Sequence, residues 1–139
     1  MEYKIFQGID ENSPAIDVRI TVFTDEQGFH DEIDDIDRIA CHVIAFDGEK
    51  AVATGRLFGE PSDFMKIGRF AVLKEYRGKN VGRMMMYVLE EKAKELGCKR
   101  IMLSAQERAI EFYKKVGYIP QGEMYLEENY PHLKMVKEL

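Results

Sequence analysis

A chain of 139 residues, 45% apolar and 32% charged, can bury roughly 68–70% of its unfolded surface; one domain over residues 1–139 is therefore expected, with the cytoplasm as its compartment. The net charge of −5 argues against a general nucleic-acid binder, which needs a basic face to neutralise phosphates. Two cysteines, Cys41 and Cys98, with no C-x-x-C pair and no histidines at ligand spacing, give no disulfide framework and no metal site to expect. The start MEYKIF is not a signal peptide, and no run approaches 18 apolar residues, so no membrane partner is expected either.

Residues 3–7 read as a short strand, and the polar, Pro14-bearing entry after it opens a largely apolar helix over about residues 15–27, stopped by Gly28. The next segment, 30–38, carries five carboxylates around Ile33 and Ile36. It reads as a short solvated helix pinned by Ile33, Ile36 and Ile39, or more sharply as an acidic rim that would attract a cationic amine. Strands at 41–46 and about 50–58 flank Asp47-Gly48, a strong hairpin signal. Pro61 marks the following turn.

The central stretch is 65–96: a strand to about residue 73, a basic glycine turn, and a helix with Val81, Met84, Met85, Val88, Leu89 and Leu96 at three- and four-residue spacings and Glu90 among the residues on other faces. Gly97 stops it. The turn Arg77-Gly78-Lys79-Asn80-Val81-Gly82, followed by Arg83, places cations and flexible backbone where a helix begins. Unpaired N–H groups and the helix dipole favour an anion there. Neither the nucleoside-triphosphate loop G-x-x-x-x-G-K-[ST] nor the dinucleotide pattern G-x-G-x-x-G is met.

A strand at 99–105, a helix at about 109–116, a strand from 118 to 122 interrupted by Pro120, and a last strand at 132–137 complete the chain. Strand, helix, strand, helix implies a parallel crossover. The fold class is α/β, a mixed sheet of six to seven strands with about four helices on both faces.

The turn resembles a known signature. Arg77-x-x-x-x-Gly82 is similar to R/Q-x-x-G-x-G/A, the acyl-CoA pyrophosphate motif of the GNAT superfamily of N-acyltransferases. Asn80 stands at the middle glycine and tolerates a left-handed backbone better than most residues. Ala109-Ile110-Glu111-Phe112-Tyr113 through Gly117-Tyr118 is similar to the family's A-x-x-F-Y-x-x-x-G-[FY]. Finer matches point to the ElaA-like branch: Val22-Phe23-Thr24-Asp25-Glu26-Gln27-Gly28 for V-F-V-x-E-Q-G, Ala105-Gln106 for its A-Q, and Pro131-His132 with Met135 for its terminal P-H-x-x-M.

The resemblance implies a GNAT-type fold, acetyl-CoA as co-substrate, an amine acceptor, and residues for each role. Arg77, Gly78, Lys79, Asn80, Val81, Gly82 and Arg83 would hold the pyrophosphate, with Gln106 beside the cofactor. A backbone N–H near Phe70, Ala71 or Val72 would bind the thioester oxygen, on a strand that splays from its neighbour so that freed groups pair with pantetheine amides. Tyr113 would be the general acid toward the thiolate, because a phenol is protonated at neutral pH and can donate. For a base, His42, Glu26, His132 and Glu127 are candidates, and water is another. Family members often form homodimers. Three function classes follow: an N-acetyltransferase acting on a small molecule or peptide, a catalytically silent acyl-CoA sensor, and an interaction module with a phosphate site for another nucleotide.

Overall fold

The structure is a computed structural model describing residues 1–139. Eight strands form one sheet: β1 (Glu2–Gln7), β2 (Cys41–Asp47), β3 (Lys50–Gly59), β4 (Met65–Val72), β5 (Arg100–Gln106), β6 (Ile119–Pro120), β7 (Tyr125–Glu127) and β8 (Tyr130–Glu138). Their order is β1-β2-β3-β4-β5-β8-β6, with β7 paired to β8. All pairs are antiparallel except β4 with β5, the crossover pair. The strand beyond the expected six to seven is β7, in a stretch to which the sequence patterns assign no element. Glu128 and Asn129 both take positive φ (54° and 61°), the backbone of a tight hairpin turn, and fold Tyr125–Glu127 back onto β8.

Helix α1 (Pro14–Arg19) starts where the Ser13 hydroxyl accepts from the Ala15 N–H and Pro14 occupies the first turn. It continues as a π-helical stretch, Ile20–Glu26, ended at Gln27; together these are the helix expected over 15–27. Helix α2 (Asp35–Ile39) is short and held by a capping box between Asp34 and Asp37. Helices α3 (Val81–Glu95) and α4 (Ile110–Lys115) follow β4 and β5.

Alternation along β3 sets the layers. Gly55 lies under Leu89 and Met85 of α3, while its neighbour Arg56 points the other way and bonds Asp37 of α2. The α3 stripe is rotated from expectation. Met86 and Ala93 are buried where Met84 and Leu96 stand 40% and 44% exposed. Glu90, expected away from the apolar stripe, is buried because it accepts from the Tyr118 hydroxyl (3.0 Å) and Lys137 Nζ (2.9 Å).

The acidic segment also departs from expectation. Ile39 is 72% exposed and Asp37 is fully buried, the reverse of an isoleucine-pinned helix. Arg19, itself buried, donates to both Asp37 oxygens (2.8 and 3.1 Å) and to Asp31. Arg56 bonds Asp34 and Asp37, and Arg69 pairs with Asp31 (3.0 Å). Most of the expected acidic rim is therefore an internally neutralised cluster.

Candidate active site

A cleft of about 1100 Å³ runs through the sheet where β4 and β5 part. The two strands pair only at Met65–Ile101 and Lys66–Met102. Beyond that point neither edge has its partner, so backbone donors and acceptors face the cleft. A bulge in β4 helps turn it away: Gly68 pairs with Arg56 and Ala71 with Thr54, three steps on β4 against two on β3, with Arg69 at φ 47°. Phe70, Ala71 and Val72, the residues expected to serve the thioester, line the cleft just past this bulge.

At one end the cleft meets the start of α3. The first N–H bonded within the helix is that of Met84, to the Asn80 carbonyl (3.0 Å), which leaves the N–H groups of Val81, Gly82 and Arg83 without helical partners. Asn80 is left-handed (φ 66°, ψ 6°) and its side chain does not cap. Gly78, Asn80, Gly82 and Arg83 border the cleft; Lys79 and Val81 do not. Lys79 instead lies over the Tyr76 ring, and the Val81 side chain is core. Such unpaired N–H groups at a helix start are suited to receive an anion.

Gly82 serves close approach: a Cβ there would lie 3.2 Å from the Phe112 ring. Phe112 belongs to a block with Phe70, Tyr113 and Tyr118, ring centroids 5.2–6.1 Å apart. Tyr113 is 7% exposed and lines the cleft. Burial alone pushes its pKa up, with no hydrogen bond contributing, so the phenol keeps its proton at neutral pH and has no protein acceptor for it.

Two expected roles change with the geometry. Glu26 does not line the cleft. It accepts from both terminal nitrogens of Arg77 (2.7 and 2.8 Å), and those bonds hold its carboxyl below the usual range, which makes it a poor base. Arg77 also donates Nε–H to the Val72 carbonyl (2.9 Å), so its side chain is a strut between β4 and the π-helical stretch. Gln27 accepts from Gln106 (3.0 Å), and Gln106 borders the cleft. The Glu26-Gln27-Gly28 pattern is thus a pair of tethers.

At the other end stand His132 and Glu127, both lining the cleft. His132 Nδ1 lies 2.7 Å from the Tyr130 carbonyl, which can only accept. The ring proton therefore sits on Nδ1, and in the neutral ring Nε2 carries the lone pair. Nε2 is 3.6 Å from Glu127. His42 does not reach the cleft: it is 1% exposed, its Nε2 bonds the Asp37 carbonyl (2.9 Å), and burial lowers its pKa. A base role for His42 does not fit this placement. Phe58, Lys66, Met102, Ser104, Tyr125 and Lys134 also line this end and were not singled out from the sequence. Alternation was the available signal, since Lys66 and Gly68 interleave with buried Met65 and Ile67.

Residues 10–118 match the family model described as the acetyltransferase (GNAT) family. The chain belongs to the GNAT family. It is similar to the uncharacterized N-acetyltransferase YjcF of Bacillus subtilis, 36% identical over 99% of this chain and all of that one. Among solved structures it resembles Escherichia coli ElaA (26% identity, TM-score 0.86, 99% of each chain) and an acyl-CoA N-acyltransferase from Pseudomonas aeruginosa (25%, TM-score 0.84, 99% of each). The GNAT fold and the likeness to ElaA expected from the motifs are both present.

Proposed function

We propose that this chain is an N-acetyltransferase that moves an acetyl group from acetyl-CoA to a primary amine by direct transfer in a ternary complex, acting as one cytoplasmic domain over residues 1–139. The observation that carries the reading is the buried Tyr113 phenol, without a protein partner, beside the parted edges of β4 and β5.

The pyrophosphate would sit on the N–H groups at the start of α3, and pantetheine amides on the freed edges of β4 and β5. An N–H among Phe70, Ala71 and Val72 would hold the thioester oxygen as negative charge develops on it. The amine must be neutral to attack, and the His132 Nε2 lone pair takes its proton, directly or through water. As the N–C bond forms and the C–S bond breaks, the phenol proton of Tyr113 passes to sulfur. Lys79 and Arg83 add positive charge near the pyrophosphate without being its principal holders.

Release of free thiol from acetyl-CoA tests this, followed across amines, polyamines, amino acids and peptides. Acceptor-dependent thiol release is the expected result. Binding of acetyl-CoA with no release for any acceptor would overturn transfer in favour of a silent acyl-CoA sensor, and absence of CoA binding would overturn both.

A further inference from the structure

The acceptor end of the cleft has a charge arrangement of its own. Three arginines and three aspartates along and behind it neutralise one another: Arg19 and Arg69 hold Asp31, and Arg19 and Arg56 hold Asp37, with Asp34 on Arg56. Lys66 of β4 and Lys134 of β8 line the same wall with no carboxylate in pairing range; Lys66 lies over the Phe64 ring. They flank Met102 and Ser104 of β5, since Lys66 is in register with Met102 and Lys134 with Ser104.

A second observation points the same way. Arg56 Nε is a buried side-chain donor with no acceptor, on a residue only 4% exposed that borders the cleft. The facing residue is Gly68, where even a Cβ would stand 3.9 Å from that nitrogen. This flank of the wall thus holds one buried donor without a partner, which costs free energy until an acceptor meets it, beside two cations that no carboxylate neutralises. The carboxylates on the cleft without a cation partner are at the β7–β8 hairpin, Glu127 and Glu128, next to His132. His132 and Lys134 lie two residues apart on one face of β8, about 7 Å along the strand.

We propose that the acceptor is an amino carboxylate: its amine is drawn to Glu127 and His132, and its carboxylate to Lys66, Lys134 and the Arg56 flank. This rests on the acyl-transfer reading of the cleft and narrows it, since a polycationic acceptor would meet Lys66 and Lys134 unfavourably.

Binding is measured apart from turnover. The protein is saturated with CoA, which carries no acetyl group to transfer, and titrated calorimetrically with ω-amino acids of two to six carbons, the matching ω-amino amides, and diamines of the same length. The carboxylate of the best-fitting length is expected to bind at least about tenfold tighter than its amide, with the diamine weakest. The double substitution Lys66→Glu and Lys134→Glu is expected to lower the carboxylate-to-amide ratio by about tenfold or more. Equal or tighter binding of the amide or diamine, no binding by any member, or a ratio unmoved by the double substitution would overturn the proposal. Selective binding without thiol release from acetyl-CoA would count against acetyl transfer and leave the ligand class standing.

Discussion

The two ends of the cleft are built from different material. The proposed donor end is backbone: N–H groups at the start of α3, left-handed residues at Gly78 and Asn80, and the parted edges of β4 and β5. The proposed acceptor end is side chains, His132, Glu127, Lys66, Lys134 and Arg56, brought together from β3, β4, β7 and β8. A backbone site tolerates loss of neighbouring charges and fails when its shape changes, whereas a side-chain site does the opposite. Each prediction below tests one side of that contrast.

The largest effect is expected at Tyr113, where the ends meet. Tyr113→Phe keeps the ring in its block with Phe70, Phe112 and Tyr118 and removes no protein hydrogen bond. Turnover is expected to fall about 10²–10⁴-fold, roughly 3–5 kcal/mol of barrier, while CoA affinity stays within a few-fold. Single-turnover rates and calorimetry read the two separately. A wild-type chemical rate would make Tyr113 a packing residue only.

Behind the acceptor end, Asp37 is the carboxylate on which Arg19 and Arg56 converge. Asp37→Ala leaves two buried guanidinium groups undercompensated, and unfolding in urea is expected to show a loss of about 3–5 kcal/mol. The pH dependence follows the same groups. Burial alone would raise the Asp37 pKa, but bonds from Arg19, the Asp34 N–H and Arg56 carry it far below the usual carboxylate range. Its stabilisation is complete above its unfolded value of about 3.9 and fades as pH falls through the folded one. His42, lowered by burial, acts in the same direction from about pH 6.5 downward, because only the unfolded chain readily takes its proton. Stability is thus expected to fall on acidification in two stages, and the lower stage is expected to weaken in Asp37→Ala.

The same contrast explains what was legible in the sequence. The α3 turn is contiguous, so Gly78, Asn80 and Gly82 suggest the proposed anion site within six residues, and Phe112-Tyr113 adds the proposed acid a helix away. The fold class follows from alternating and helical patterns. The β7 strand was hidden because a three-residue strand carries no period and its turn, Glu128-Asn129, lacks the glycine that marks most such turns. Asp37 read as solvated because burial of a carboxylate depends on Arg19 and Arg56, residues 18 and 19 positions away, and no local pattern encodes that pairing. The Asp34-x-x-Asp37 spacing did hold a capping signal, which could have placed the start of α2. Glu26 read as a candidate base for the same reason: its partner Arg77 is 51 residues off.

At the donor end, shape should outweigh charge. A side chain at Gly82 must displace the Phe112 ring, an overpacking cost of about 1–3 kcal/mol, and Gly82→Glu adds a negative charge where phosphates are proposed to sit. CoA binding by Gly82→Glu is expected to be nearly abolished and by Gly82→Ala clearly weakened. Lys79→Ala and Arg83→Ala are exposed charge removals, each expected to cost about 0.2–1 kcal/mol and to lose even that at high salt. Far-ultraviolet circular dichroism confirms which variants remain folded. Larger losses for the two charge removals than for Gly82→Ala would reverse the reading of this end.

The smallest effect, and the finest test of shape, is at Asn80. Its φ of 66° and ψ of 6° lie in the left-handed region, where glycine is unstrained, asparagine is tolerated, and a β-branched residue is a true outlier. Because the Asn80 side chain makes no cap hydrogen bond to α3, replacing it removes no helix contact, and the backbone preference is isolated. Asn80→Gly is expected to bind CoA as well as the parent or slightly better, any gain in ease of conformation being offset by the greater freedom glycine loses on ordering. Asn80→Val is expected to bind more weakly by about 1–2 kcal/mol, or roughly 5–30-fold, because the turn must either carry that strain or leave the left-handed region and take the N–H groups of Val81, Gly82 and Arg83 out of line. Calorimetric titration with CoA ranks the three proteins. Equal affinities would mean that the anion site does not depend on the left-handed turn, and the backbone account of the donor end would fail at its most local point.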